Sequence, residues 1–249
     1  MKKIVIDPGH APGNANRGKN GYYEYSGMWK LSNYLKEILE ELGCVVNFTR
    51  AEHEDPTLSK RGEKGYGSDL FISQHSNAAN GNARGVEVYY SVANRGDKEF
   101  AGAISKAISN VMGNQDRGAK TRASTTDPNT DYYTVMETAR KAGARHVLLV
   151  ENGFHDNVQD EEFLLKDDNL KEIAKEQAKV ICDFLGVEMP DNKCTVNFDL
   201  FGKKRVEING MIIDGVTHVQ ARHLLETMGL TVNWDDSTKT VLVSGSLIK

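Results

Sequence analysis

Short apolar runs alternate with amphipathic, helix-spaced segments from residue 2 to about residue 185, and few folds accept that alternation. Ile4–Ile6, Cys44–Phe48, Asp69–Ser73, Gly85–Tyr90 and His146–Val150 read as strands, rich in residues that fit a pleated, buried surface. Leu31, Tyr34, Leu35, Ile38, Leu39 and Leu42 recur at helical spacing and stop at Gly43, and Phe100, Ala103, Ile104, Ala107, Ile108 and Val111 form a second such stripe. Further helices are expected over residues 58–65, before Gly143, and over 170–185, with a short strand at Tyr132–Val135 and an irregular polar stretch over 116–128. The arrangement predicts an α/β domain: a twisted, largely parallel sheet with helices on both faces. Ligands of such sheets bind beyond the carboxyl ends of the strands.

Three strands run there into ionisable residues. Ile6 leads through Asp7-Pro8-Gly9 to His10, Ile72 leads to His75, and Val150 leads directly to Glu151. A catalytic zinc site takes three ligands from His and Glu/Asp and keeps a fourth position open, with a further carboxylate nearby to move protons. After His10 the Gly-, Asn- and Pro-rich run Ala11–Gly21 is a loop, and Glu24 beyond it is placed to fold back toward His10. The bland alternatives are a core histidine at His75 and a structural acid at Glu151. His53, His146, His155, His218 and His223 have no comparable setting, and Glu37, Glu40 and Glu41 read as the solvated face of the first helix.

Composition narrows the partners. A net charge of −4 over 249 residues gives no electrostatic case for nucleic acid. No apolar run reaches the roughly 18–20 residues that span a bilayer, so membrane insertion is not expected. The N-terminus begins like a signal peptide, but its apolar core stops after three residues, Ile4–Ile6; synthesis in the cytoplasm without a signal peptide is the expectation. Cys44, Cys182 and Cys194 are too widely spaced for a cysteine metal site and read as reduced, buried thiols. The sequence therefore divides into a domain over 1–187, a linker over 188–194 and a small α+β domain over 195–249. In the last, strands are expected at Thr195–Phe198, Arg205–Ile208 and Met211–Ile213, with Asn209-Gly210 as a hairpin turn, then a helix over 216–228. A second hairpin is expected around Asp235-Asp236-Ser237.

The ordered set Ile-Asp-Pro-Gly-His, a downstream Glu, Thr49-Arg50, Arg61, Ser-x-His-x-Asn, Gly-Val-Glu-x-Tyr-Tyr and Val-Glu-x-Gly-Phe resembles the zinc-dependent N-acetylmuramoyl-L-alanine amidases. More narrowly, it resembles their phage-endolysin and mother-cell branch. The resemblance implies one Zn²⁺ held by His10, Glu24 and His75, with Glu151 as the catalytic carboxylate. It also implies cleavage of the peptidoglycan amide between the muramic acid lactyl group and L-alanine. Asn77 and Asn152 would line the substrate groove, and Glu87 would orient a ligand from behind. Family members can carry a helical plug in this region; the segment between Tyr133 and Glu151 has room for one short helix, which suggests an open groove. Without a signal peptide, such an enzyme reaches the wall through a holin-type hole or on mother-cell lysis. Residues 195–243, with Val-Glu-Ile-Asn-Gly, Ala-Arg-His-Leu-Leu-Glu and Met-Gly-Leu-Thr-Val-Asn-Trp-Asp, resemble the small domain known from copper amine oxidase N-termini. That implies attachment to a cell-wall polymer, with dimerisation or stabilisation as the alternative, and Trp234 with Asp235 either on a binding surface or in a core. Rival functions are a zinc peptidase acting within the stem peptide and a non-catalytic wall-binding protein.

Overall fold

Ile4 and Ile6 of β1 (Lys3–Pro8) pack on one face of a sheet and Val5 on the other, and the same alternation recurs in β3 (Leu70–Asn77) and β6 (His146–Phe154). The computed structural model describes residues 1–188 and, beyond them, 193–200, 204–213, 216–219, 225–226, 229–235 and 240–244. The chain divides into two compact units, Met1–Met189 and Pro190–Lys249.

In the first unit, α1 (Glu24–Glu41), β2 (Val45–Phe48) and α2 (Leu58–Glu63) lie between β1 and β3 in sequence. Then come β4 (Val86–Tyr90), α3 (Lys98–Met112), β5 (Asp116–Lys120), α4 (Thr134–Lys141), β6, α5 (Val158–Leu164) and α6 (Asp167–Leu185). The sheet order is β2-β1-β3-β6-β4-β5, with every pair parallel except β4 against β6. One face buries Ile4, Ile6, Ile72, Leu148 and Val150 against Leu31 and Leu35 of α1, Ile104 and Ile108 of α3, and Ile173 and Ile181 of α6. The other buries Val5, Phe71, Val147 and Leu149 against Val135, Met136 and Ala139 of α4. This is the expected α/β sheet, helices on both faces.

The differences from the sequence reading have local causes. Tyr132–Val135 is not a strand: α4 starts at Thr134, because Val135, Met136 and Ala139 supply a helical stripe for the second core. The polar stretch after Asp116 contains β5, an edge strand on β4 whose sequence has no apolar alternation to reveal it. α5 was not expected either; Asn157 caps it by accepting from the Gln159 and Asp160 amides. An Asn followed three and four residues later by Asp160 and Glu161 is the signal that marks such a start. Cys44 and Cys182 are buried free thiols, as expected. Among the described residues, no helix is long and apolar enough to cross a membrane.

Described by itself, the second unit holds an antiparallel sheet β7-β8-β9 and an antiparallel pair β10-β11. β7 (Lys193–Leu200) begins two residues inside the expected linker. β8 (Lys204–Ile213) runs straight through Asn209-Gly210, which pair with Thr195 and Cys194 instead of forming a turn. The apolar and β-branched residues on both sides favour continuous pairing over the turn chemistry of that dipeptide. The helix expected from residue 216 does not start there: β9 (Val216–Val219) pairs with β8, and the residues described as helical are Leu225 and Glu226. β10 (Thr231–Asp235), with the backbone of Trp234 in it, and β11 (Thr240–Ser244) form the expected second hairpin. Linker residues 189–192, the turn at Asp236-Ser237 and His223 lie outside the described residues, as do the side chains of Cys194, His218, Trp234 and Asp235.

One buried ion pair fixes the edge of the first unit where β1 ends. Asp7 is fully buried and receives Arg61 Nε at 2.7 Å and Nη2 at 2.8 Å, with Thr49 and Ser73 hydroxyls at 2.5 and 2.6 Å. Both carboxylate oxygens are thereby satisfied twice. Arg61→Ala leaves that carboxylate without its counter-charge, and a loss of about 3–5 kcal/mol is expected. Chemical denaturation of the variant against the parent chain, followed by circular dichroism, measures it.

Candidate active site

Past Pro8 the chain turns under tight steric control. Gly9 donates its amide to the Gln74 carbonyl at 2.8 Å, and a Cβ at this position would lie 2.4 Å from that oxygen and 2.8 Å from the His75 ring. Only glycine lets β1 end against β3 there. His10 follows with φ 55°, a left-handed conformation that costs a non-glycine residue roughly 1–2 kcal/mol. The turn sets its ring edge-to-face with His75, ring centroids 5.0 Å apart.

Glu24, first residue of α1, lies between the two imidazoles. Its Oε2 is 3.1 Å from His10 Nε2 and its Oε1 is 3.0 Å from His75 Nδ1. Asn16 Nδ2 donates to Oε2 at 2.9 Å, and the Ser76 amide donates to Oε1 at 3.1 Å. Burial pushes the Glu24 carboxyl up, but the hydrogen bonds and charges of His10 and His75 more than reverse it, holding the group well below the usual carboxylate range. The ligand atoms of His10, Glu24 and His75 lie within 4.8 Å of one another. A tetrahedral zinc centre with bonds of about 2.0–2.2 Å holds its ligand atoms roughly 3.4 Å apart. Two imidazoles and one ionised carboxylate at this spacing close on such an ion through side-chain adjustment, so the donor set fits it.

Glu151 belongs to the same cavity, about 460 Å³ in volume, whose walls include His10, Glu24, His75, Asn77, Tyr133 and Glu151. It lies in β6 opposite His75 in β3 and opposite Glu87 in β4. β6 carries one extra residue between the His75 and Asn77 pairings, and Gly153, with φ 91°, absorbs it. Glu151 Oε2 is buried without a hydrogen-bond partner among the described residues. Burial, then the charges of Glu24 and Glu87, push the Glu151 carboxyl well above its usual range. Two carboxylates in one cavity are thus driven apart, one held ionised and one held ready to carry a proton.

The sequence profile of N-acetylmuramoyl-L-alanine amidases matches residues 4–183, most of the chain. The chain belongs to this family. It is 30% identical over 183 residues to the N-acetylmuramoyl-L-alanine amidase CwlM of Bacillus licheniformis, a match covering 72% of this chain and 66% of that protein. It is 28% identical over 183 residues to the sporulation-specific N-acetylmuramoyl-L-alanine amidase of Bacillus subtilis, with the same coverage of 72% and 66%. The chain thus spans just under two thirds of the length of these relatives. The solved catalytic domain of CwlV, from Bacillus (Paenibacillus) polymyxa, shares the fold at a TM-score of 0.64 and 24% identity, covering 76% of this chain and all of that one.

The amidase-family unit brings His10, Glu24, His75 and Glu151 together as the sequence placed them. Asn77 lines the cavity, its Nδ2 donating to Glu87 Oε1 at 3.1 Å. Asn152 does not line it: it is fully buried, donates to Gln74 Oε1 at 2.9 Å and to the His75 carbonyl at 3.1 Å, and accepts from Gln177 at 2.9 Å. On β6 it faces the core, so its role is to hold β3, β6 and α6 together below the histidines. Glu87 orients no proposed metal ligand; it pairs with Arg117 and Lys120 and accepts from Asn77 and Tyr89. The sequence reading missed Asn16, which ties the loop to Glu24, and Tyr132, Tyr133 and His155 in the cavity wall. α4 is the one short helix between Tyr133 and Glu151, and it packs on the sheet and α2.

The direction at Glu151 has a measurable consequence. A carboxyl raised in the fold favours the protonated form, so its ionisation above its ordinary value of 4.5 opposes folding. Metal-free Glu151→Gln is therefore expected to be more stable than the metal-free parent at pH 7. The advantage should shrink steadily as pH falls from 7 toward 4.5 and vanish below that. Thermal melts across pH 3.5–8 in chelator measure the difference.

Proposed function

We propose that this chain is a zinc-dependent peptidoglycan hydrolase that cleaves the amide between the N-acetylmuramic acid lactyl group and L-alanine. The observation that carries the reading is the unpartnered, proton-prone carboxyl of Glu151 in one cavity with the His10, Glu24 and His75 donor set. A Zn²⁺ held by those three residues supplies positive charge that polarises a carbonyl and acidifies water. The chain's own part is to move a proton and to hold the ligand oxygens in place. Glu151 takes the proton of the attacking water and returns it to the departing L-alanine nitrogen. In the metal-free site His10 and His75 hold Glu24 in its charged form, the form in which a carboxylate serves as a ligand. Asn16 and the Ser76 amide hold its oxygens in place while the substrate exchanges.

The role we infer is lysis, as a phage endolysin or an autolysin, with the wall reached through a holin-type hole or on mother-cell lysis. The name of the sporulation-specific relative supports the mother-cell route. The single short helix α4 supports a groove open without removal of a plug. For the second unit we infer attachment to a wall polymer, supported by its resemblance to modules of surface and lytic proteins; dimerisation is the competing reading, and sedimentation distinguishes the two.

Purified chain incubated with peptidoglycan should release stem peptides with a free L-alanine amino terminus, seen by mass spectrometry. Internal peptide cuts would instead identify a stem-peptide peptidase. Chelator should abolish release and added Zn²⁺ restore it. Glu151→Gln should lower kcat about 10²–10⁴-fold while zinc content stays at the parent level.

A further inference from the structure

The cavity wall contains a polar side chain that the proton chemistry above does not use. His155, just after β6, is 3% exposed and lines the cavity beside Ser76 and Asn77. Its Nδ1 lies 3.0 Å from Ser76 Oγ, which lies 3.3 Å from the Tyr22 hydroxyl. The Tyr22 ring stacks on the imidazole at an interplanar angle of 26°. Ser76 and Tyr22 are each 3% exposed, so every proton in this chain of three is counted in a dry environment.

Only one arrangement leaves no buried proton without an acceptor. The Tyr22 hydroxyl has a single hydrogen-bond partner among the described residues, Ser76, so it donates to Ser76 Oγ. The Ser76 hydroxyl must then donate to His155 Nδ1. If Nδ1 carried the proton, either the Ser76 or the Tyr22 hydroxyl hydrogen would be stranded, at the cost of an unmade buried bond. Neutral His155 therefore carries its proton on Nε2. That nitrogen has no partner among the described residues, and the residue carrying it forms part of the cavity wall.

We infer that His155 is a substrate-positioning residue whose Nε2–H donates to an amide carbonyl of the bound wall fragment, its tautomer locked by Ser76 and Tyr22. The inference rests on the proposed muramoyl-amide substrate. A neutral, fixed N–H suits a carbonyl: it needs no counter-charge, and its direction is set before the substrate arrives. Amide carbonyls occur on both arms of such a fragment, in the sugar acetamido group and in the stem peptide.

Substitution separates this role from a structural one, because glutamine presents an N–H near the Nε2 position and asparagine near Nδ1. Zinc-loaded parent, His155→Ala, His155→Gln and His155→Asn are assayed on a soluble muramyl peptide for kcat and KM, with zinc content measured in each. His155→Ala should raise KM about ten-fold, the worth of one hydrogen bond, and change kcat less. His155→Gln should recover most of that loss and His155→Asn little. A de-N-acetylated fragment assigns the acceptor: a difference that disappears points to the acetamido carbonyl, and one that persists points to the stem peptide. Recovery by Asn as good as by Gln, an unchanged KM in His155→Ala, or a loss of zinc in step with the loss of activity would overturn the inference. Should the parent cleave no muramoyl amide, the proposed function fails by itself. Calorimetric binding of the same fragment to the same variants then tests the His155 contact without turnover.

Discussion

The carboxylate of Asp7 is the group on which the rest of the site depends. It sits fully buried at the end of β1, and Arg61 from α2, Thr49 after β2 and Ser73 of β3 all converge on it. Arg61 also donates to the Pro8 carbonyl at 3.0 Å, and Arg50 does so at 3.2 Å. Four side chains from three segments distant in sequence are thus tied to the two residues that precede the Gly9-His10 turn. A buried ion pair contributes little net stability compared with apolar packing, but its geometry tolerates few alternatives. Here it fixes a backbone edge, and that edge supplies both the close Gly9–His75 approach and the left-handed His10.

From that edge the electrostatics divide the acidic groups by environment. Glu24 and Glu151 are both buried in one cavity. The first has two imidazoles, an amide and an asparagine on its oxygens. The second has an oxygen with no partner and carboxylates on two sides. The antiparallel pairing of β4 with β6, the one break in an otherwise parallel sheet, is what sets Glu87 directly opposite Glu151. Arg117 and Lys120, from the edge strand β5, hold Glu87 ionised against its burial. The inverted strand therefore has a chemical consequence: it keeps a negative charge beside the proton-carrying carboxyl.

Periodicity made the frame legible, and chemistry at strand ends made the ligands legible. Ile4–Ile6, Leu70–Ile72 and Val147–Val150 stand out as continuous apolar runs, and His10, His75 and Glu151 follow within four residues of their ends. What stayed hidden has no apolar pattern. β5 is polar and held at an edge, and α5 is short and identified by its Asn157 cap. Asn152 lies next to Glu151 in sequence but outside the cavity, because successive strand residues face opposite ways. In the second unit, Asn209-Gly210 and Val216–Val219 show local turn and helix preferences giving way to strand pairing.

The least legible helix carries the heaviest positional duty. Glu161 of α5 is 1% exposed and accepts from the amides of Lys19, Asn20 and Tyr22 at 3.1, 2.7 and 3.3 Å. The glycine-rich loop between His10 and Glu24 is pinched by one isolated bridge, Arg17 with Tyr23, and the three bonds to Glu161 anchor it to α5. Asp160, its neighbour, accepts from the amides of Phe154 and Gly85 at 3.1 and 2.9 Å, and so joins the end of β6 to the start of β4. One short helix thereby holds the loop that delivers Asn16 and Glu24 and the strand end that delivers His155. The cavity is assembled from both sides of that helix, so the relative placement of ligand, proton carrier and substrate contact follows from two adjacent acidic residues that touch none of the chemistry.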